Sequence, residues 1–267
     1  MSERIGLIAG NRKFPLIFSA AARKKGYSLV AVAVKGDTSR ALNKLVDKIY
    51  WVSLAEYSRV FSIFKNEGVK KIVMAGQISP VRLFSGEIQK DPQLKELLSQ
   101  IKDQRADTIF GAIVKKFNDE GFEFLDSTTF IEDYLPKKGI LTGEPSAQIL
   151  EDIHFGFDLA KQVAGLDIGQ AVVIKNKAIV AVEALEGTDN LIKRAGCISR
   201  GGFTVVKVSK PRQDMRFDVP VIGLNTIKNL LRAKAACLAF EAGKTLFIDQ
   251  EAGVDLARKK GLIIVAV

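Results

Sequence analysis

The sequence predicts an α/β protein of two domains, the first Rossmann-like with a mostly parallel sheet, and three observations lead there. At 267 residues the chain exceeds a typical single domain of ~100–150 residues. Short apolar runs alternate with amphipathic stretches through brief loops, the pattern of parallel strands covered by helices. Tyr134-Leu-Pro-Lys-Lys-Gly139, with its proline, glycine and two lysines, reads as a break between two such series. Residues 1–133 are therefore expected as an N-terminal domain, 134–142 as a linker and 143–267 as a C-terminal α/β domain that carries the chemistry.

The elements follow in order. Ile5-Gly-Leu-Ile-Ala-Gly10 is a buried strand running into a tight turn, Pro15 to Lys25 has the spacing of an amphipathic helix, and 28–34 is a second strand. A helix over 54–66 ends near Gly68, and Lys71-Ile-Val-Met-Ala75 is a strand stopping at Gly76-Gln-Ile-Ser-Pro80. Leu94, Leu97, Leu98, Ile101, Ile109, Ile113 and Phe117 recur at helical steps, giving two helices around a break at Arg105-Ala-Asp107, with Asp107 capping the second. A short strand is expected at 122–125. Past the linker, 145–163 reads as a long helix with Leu150, Ile153, Phe157 and Ala160 on one side. Strands are then expected at 171–174, 177–183, 204–208, 245–248 and 262–267, with helices at 226–242 and 250–260.

A composition 47% hydrophobic and 26% charged belongs to a globular protein without a disordered tail. The chain enters its first strand directly after Met-Ser-Glu-Arg, with no signal-peptide pattern and no apolar run of ~20 residues, so a cytoplasmic protein is expected. Cys197 and Cys237 are too few for a disulfide framework and are expected as reduced structural cysteines. The formal charge of +10 attracts phosphates, on nucleic acid, anionic lipid or a small substrate. Lysines and arginines are spread along the chain rather than bunched, which argues against a nucleic-acid-binding arm.

Chemistry is suggested at three places. Two strands end in Ala-Gly, at Ala9-Gly10 and Ala75-Gly76, and ligands bind outside the carboxyl ends of parallel strands; sharp turning alone explains such glycines equally well. Gly10-Asn-Arg-Lys-Phe-Pro15 is neither a dinucleotide fingerprint nor a P-loop. In the second half, Glu183, Glu186 and Asp189 cluster at a strand end where Gly187-Thr188-Asp189 leads into a helix, a seat for phosphate or an ordinary cap. The third place is the stretch 207–226, with Lys207, Lys210, Arg212 and Arg216 beside Asp214 and Asp218 on a proline-stiffened loop. Asp214 and Asp218 suit a hard cation, and Lys210, Arg212 and Arg216 suit phosphate oxygens, the parts needed for phosphoryl hydrolysis. Local salt bridges are the plainer explanation. The one histidine, His154, has no nucleophile in a recognisable setting and is not expected to be catalytic.

The runs Asp167-Ile-Gly-Gln170-Ala171, Val182-Glu-Ala-Leu-Glu-Gly-Thr-Asp189 and Lys210-Pro-Arg-Gln-Asp-Met-Arg-Phe-Asp-Val-Pro220, followed by Ile222-Gly and Thr226-Ile, closely resemble the LpxI family. These are bacterial UDP-2,3-diacylglucosamine pyrophosphatases of lipid A biosynthesis. Gly6-Leu-Ile-Ala-Gly10 with Pro15, the Ala75-Gly76 turn and Asp107 match as well. The resemblance implies a Mg2+-dependent hydrolase that gives UMP and lipid X (2,3-diacylglucosamine 1-phosphate), with water directed at the phosphorus attached to the sugar. It also implies two α/β domains with the active site between them.

Carried onto this chain, the resemblance makes Asp218, in the Arg-x-Asp-x-Pro segment, the leading catalytic residue, with Asp214 and Arg216 beside it. Asp218, Asp214 and Glu183 become the metal ligands. Lys210, Gln213 and Arg216 would contact the pyrophosphate. Gly10, Asn11, Ala75, Gly76, Gln77, Gly187 and Thr188 would meet the uridine and sugar, and Asp107, Gln170, Asp189 and Thr226 fall among the substrate contacts. The partners expected are the lipid-bearing substrate, a transient inner-membrane surface and no nucleic acid, with room for a homodimer. The competing reading is a non-catalytic sensor holding a nucleotide or RNA in a basic cleft. The 16 phenylalanines fall mostly in core-like settings rather than interleaving with the cations, which disfavours it.

Overall fold

The computed structural model describes residues 3–78, 82, 86–87, 90–103 and 105–267. Ser79 and Pro80, expected to close the turn after Gly76, lie outside the described residues. The chain forms two compact units: Met1–Glu132 with Asp214–Asp218, and Asp133–Gln213 with Val219–Val267. Among the described residues no helix is long and apolar enough to cross a membrane.

The first unit is built on β1 (Arg4–Ala9), β2 (Ser28–Val34), β3 (Lys48–Val52), β4 (Lys71–Ala75) and β5 (Glu123–Phe124), in the order β3-β2-β1-β4-β5 with every pair parallel. The order reverses between β1 and β4, so this doubly wound sheet has its switch point, and the crevice such a point creates, at the ends of those two strands. The helices are α1 (Phe14–Lys24), α2 (Ser58–Asn66), α3 (Pro92–Ser99) and α4 (Ala106–Asp119). Pro15 and Pro92 sit in the first turns of α1 and α3, where a missing N–H is no loss. Asp91 caps α3 by accepting from the Leu94 N–H (3.0 Å) and also accepts from the backbone and hydroxyl of Ser58 (2.8 Å each), which pins the start of α2 beside it. Phe64, Phe117, Phe122 and Phe124 pack under Val30, Val32, Ile72 and Met74 of the sheet.

Two sequence expectations fail in this unit. Helix α4 begins at Ala106 with Arg105 at the cap position, so Asp107 lies in the first turn and is not the cap; there its charge still suits the helix dipole. Strand β3 was not anticipated, because Lys48-Ile-Tyr-Trp-Val52 is a largely half-exposed edge strand that lacks a clean apolar run.

The second unit holds β6 (Gly139–Thr142), β7 (Ala171–Lys175), β8 (Ala178–Val182), β9 (Thr204–Lys207), β10 (Val221–Gly223), β11 (Cys237–Phe240), β12 (Leu246–Ile248) and β13 (Ile263–Ala266). Its main sheet has the order β6-β13-β11-β9-β7-β8, parallel through β13, β11 and β9 and antiparallel elsewhere, while β10 and β12 pair in parallel apart from it. The helices are α5 (Ala147–Gly165), α6 (Thr188–Ser199), α7 (Leu224–Arg232) and α8 (Gln250–Lys260). Alternate strand residues serve opposite faces. Val172, Ile174, Val206 and Ala239 meet Ile153, Ala160 and Val163 of α5, whereas Val173, Val205, Leu238 and Ile264 meet Leu191, Ile227 and Ala257 of α6, α7 and α8. Both faces are thus covered, which is why these strands read as continuous apolar runs.

The helix expected over 226–242 stops at Arg232. Lys234 adopts a left-handed backbone (φ 57°), and Cys237–Phe240 becomes a central strand between β9 and β13. The alanine-rich run Ala233–Ala236 has helical propensity, but pairing and burial of the four residues after it prevail. Within the segment expected as a linker, Gly139–Thr142 is the edge strand β6, tied to β13 by backbone pairing and to the Leu262 carbonyl by the Thr142 hydroxyl (2.7 Å). Asn176 and Lys177, both at positive φ, form the two-residue turn of the β7–β8 hairpin, and Asp152 of α5 accepts from their backbone N–H groups at 3.0 and 2.7 Å.

Candidate functional site

In the first unit, several of the sequence-selected residues collect at the carboxyl edge around the switch point. The Gly10 N–H donates to the Ala75 carbonyl and the Asn11 N–H to the Gln77 carbonyl, both at 2.8 Å, so the turns after β1 and β4 are bonded to each other. Their glycines are needed for this approach. A Cβ on Gly10 would lie 2.6 Å from the Gln77 carbonyl oxygen, and one on Gly76, at φ +84°, would lie 2.6 Å from that of Asn11. The Asn11 side-chain oxygen is buried with no hydrogen-bond partner, an unsatisfied acceptor at the switch point.

The excursion Asp214–Asp218 belongs to this same unit, although the sequence reading placed it wholly in the C-terminal domain. Its anchor is Phe217, which is 6% exposed, joins the aromatic core and stacks on Phe110 of α4 at 5.6 Å between ring centroids. Ser127 adds a backbone N–H donated to the Met215 carbonyl (2.7 Å) and a hydroxyl shared between the Met74 (2.6 Å) and Arg216 (2.8 Å) carbonyls. Because Met74 lies in β4, the excursion is fastened beside the carboxyl end of that strand.

Within the excursion, Arg216 donates to Asp214 from Nε (2.9 Å), Nη2 (2.6 Å) and its backbone N–H (3.1 Å). The Arg216 side-chain hydrogen bonds hold the Asp214 carboxyl below the usual range against an opposing effect of burial, and they raise the Arg216 guanidinium in turn. Asp214 and Arg216 thus form the local ion pair of the plainer explanation. Asp218 sits at φ 56°, a left-handed conformation that a non-glycine residue adopts at some cost and that clusters at functional positions.

The second unit gathers its polar residues at one edge of its main sheet, where β8, β9 and β11 end and β7 begins. Glu183, just after β8 and 6% exposed, accepts from the Gln170 N–H (3.1 Å) and the Thr188 hydroxyl (2.6 Å). Thr188 accepts in turn from the ammonium of Lys207 (2.7 Å), the last residue of β9, itself 7% exposed. Thr188 is thus the first residue of α6 but not its cap; Gly187 holds that position. A buried ammonium whose contact is a hydroxyl, at the positive end of a 12-residue helix, favours the arrival of an anion. Asp189 is clamped by the side-chain amides of Asn225 and Asn229, each at 3.0 Å, which join the start of α6 to α7.

Along the same edge Glu241 accepts from Lys161 (2.8 Å) and from the backbone and hydroxyl of Ser209 (2.8 Å each). Burial pushes the Glu241 carboxyl up, but these donors outweigh it and hold the group below its ordinary range. Lys210, 8% exposed, pairs with Asp167 at 2.6 Å, and its N–H donates to the Gln213 side chain (2.9 Å). Thr226 is buried in the first turn of α7, with its hydroxyl near the Gly223 N–H (3.4 Å). The sequence presents Lys207 only as one of the cations of the 207–226 stretch, with no role of its own, and points to no site role for Lys161, Ser209 or Glu241. The signal was available for two of them, since Lys207 and Glu241 are single charges directly at the ends of buried strands.

Of the expected metal ligands, Asp214 and Asp218 belong to the first unit and Glu183 to the second. Among the described residues no group of three or more His, Cys, Asp or Glu side chains converges to hold an ion. Asp214 is committed to Arg216, and Glu183 to Gln170 and Thr188. Magnesium commonly takes one or two carboxylates and draws its other ligands from phosphate oxygens and water, an arrangement that needs no cage of three acidic side chains.

The family model of the LpxI N-terminal domain matches residues 4–134, and that of the LpxI C-terminal domain matches residues 137–265. A Caulobacter vibrioides protein named UDP-2,3-diacylglucosamine pyrophosphatase LpxI is 29% identical over 276 residues, covering 99% of this chain and 98% of that one. Among solved structures, the chain is similar to N5-carboxyaminoimidazole ribonucleotide synthetase from Thermotoga maritima (14% identity, TM-score 0.28, 70% of this chain and 43% of that one). It is also similar to phosphoribosylglycinamide synthetase from Anaerococcus prevotii (12%, TM-score 0.26, 67% and 38%). At those TM-scores, and spanning less than half of either structure, these two likenesses carry no argument.

Proposed function

The chain belongs to the LpxI family, and on that premise we propose that it hydrolyses the pyrophosphate of UDP-2,3-diacylglucosamine to UMP and lipid X with magnesium. The observation that carries this reading is the match of both family domains, in order, across nearly the whole chain, together with a relative of matching length named for the activity.

In the reaction, a water oxygen bonds to the phosphorus attached to the sugar and one of its protons is released to solvent, the bond from that phosphorus to the bridging oxygen breaks, and UMP departs with the electron pair. Asp218 orients the attacking water and, with substrate phosphate oxygens, would hold magnesium. Bound there, the ion would neutralise charge on the pyrophosphate and polarise the phosphorus. Arg216 holds Asp214 and so stiffens the turn that presents Asp218. The enzyme would act in the cytoplasm and visit the inner leaflet for its lipid, where a charge of +10 favours anionic headgroups.

Asp218→Ala tests the assignment. Its turnover with UDP-2,3-diacylglucosamine and magnesium should fall by about 10²-fold or more, as for loss of a water-positioning group. Near-normal turnover by a folded Asp218→Ala variant would end this role.

A further inference from the structure

The first unit also contains a cavity of about 680 Å³ lined by Lys35, Gly36, Thr38, Arg40, Asn43 and Trp51. None of these residues belongs to the site described above. The cavity lies at the carboxyl ends of β2 and β3: Lys35 directly follows β2, and Trp51 is the penultimate residue of β3, paired in register with Ala33. In a doubly wound sheet nucleotides are held outside the carboxyl edge, and on this side an acidic residue reads the ribose hydroxyls whereas a cation accommodates a phosphate on the ribose; basic side chains here show only that the edge suits a phosphate-bearing nucleoside. Here the residue directly after β2 is a lysine. Among the described residues, the lining carries two cations and no carboxylate.

The frame around the cavity is fixed by hydrogen bonds. The Thr38 hydroxyl accepts from the Val34 N–H (2.9 Å) and donates to the Ala9 carbonyl (2.5 Å), tying the loop across the ends of β1 and β2. Arg82 donates to the Lys35 carbonyl (2.6 Å) and to the Asp37 carboxylate (3.0 Å), so the nearby acid is already neutralised. Gly36, at φ +87°, leaves that part of the wall without a side chain. The Lys35 ammonium pairs with Glu56 at 3.2 Å, for which a phosphate would compete, whereas exposed Arg40 offers a guanidinium suited to two phosphate oxygens. Half-buried Trp51 offers an aromatic surface for a base, and the Asn43 amide offers a donor and an acceptor for its edge.

We propose that this cavity binds a nucleoside 5′-phosphate, with the base against Trp51 and the phosphate at Arg40 and Lys35. Two sources share that chemistry: the nucleotide end of the pyrophosphatase substrate, and a free nucleotide. The choice of uridine as the test base rests on the proposed activity; the rest of the argument does not.

Trp51 is the only tryptophan in the chain, so its fluorescence reports this cavity alone. Titrating the full-length protein with UMP should give a saturable change, and Arg40→Glu, with an unchanged thermal midpoint, should raise the Kd at least about tenfold, or ~1.4 kcal/mol. If UMP competes with UDP-2,3-diacylglucosamine, the cavity holds the substrate's own nucleotide; if it binds without competing, the cavity serves a free one, and either result supports the site. No saturable change up to about 10 mM UMP, or a Kd unaltered by Arg40→Glu, would overturn it. Product formation with a silent Trp51 sinks the cavity and leaves the activity standing, while a UMP response without product formation does the reverse.

Discussion

Phe217→Ala is the most informative single change, because it separates the excursion 214–218 from the unit that holds it. Phe217 is 6% exposed and stacked on Phe110, and truncating a buried phenylalanine costs about 3–5 kcal/mol. Further anchors include the Ser127 hydrogen bonds to Met215 and Arg216, each worth about 1 kcal/mol. The loss therefore falls first on docking of the excursion rather than on the whole fold. About 3 kcal/mol lowers the docking constant K roughly 10²-fold, and because activity follows the docked fraction K/(1 + K), kcat should drop by more than about twofold and by up to about 100-fold. Phe217→Leu should recover most of it. Rates of UMP release measure the effect, and hydrogen exchange at the Ser127 amide, protected by the Met215 carbonyl, should accelerate in parallel. Unchanged Ser127 exchange together with a kcat within about twofold of wild type would refute the anchoring argument.

Three further outcomes are expected. Gly76→Ala combines a positive φ with a Cβ 2.6 Å from the Asn11 carbonyl oxygen, so it should destabilise by at least about 2 kcal/mol in urea unfolding; Gly26→Ala, at φ +85° with nothing within 4 Å, should cost clearly less. Burial pushes the Cys237 thiol up to about 12 while Cys197 is exposed, so a thiol reagent at pH 8 should label one cysteine in the native protein and both after denaturation. Because Arg216 lowers the folded-state pKa of Asp214, its stabilisation is fully present above the unfolded value of about 3.9 and is lost as pH falls through the folded one. The stability difference between wild type and Asp214→Asn should therefore stay constant from about pH 5 to 8 and shrink only below about pH 4; a difference that varies across the upper range would contradict the pairing.

Legibility in the sequence followed burial. Strands β1, β2 and β4 are enclosed and announce themselves as apolar runs, whereas edge strands β3 and β6, exposed along much of their length, look like loops. The overlong helix at 226–242 arose because propensity is local while the pairing of Cys237–Phe240 with β9 and β13 is not. In the site, the Ala-Gly turns were found, but their mutual hydrogen bonding, which explains the glycines, joins residues far apart in sequence. The assignment of Asp214–Asp218 to the first unit was likewise hidden. Its one visible trace is Phe217, a large aromatic isolated in a polar run that needs a core to enter. Lys207 was noticed as a charge, yet only its burial against Thr188 marks it as a seat for an anion.

The central claim is the reaction itself. Incubating the purified full-length protein with UDP-2,3-diacylglucosamine and magnesium, and following products by mass spectrometry, should yield UMP and lipid X in equal amounts. Intact substrate after prolonged incubation, or release of UDP and a non-phosphorylated sugar lipid in their place, would contradict the account.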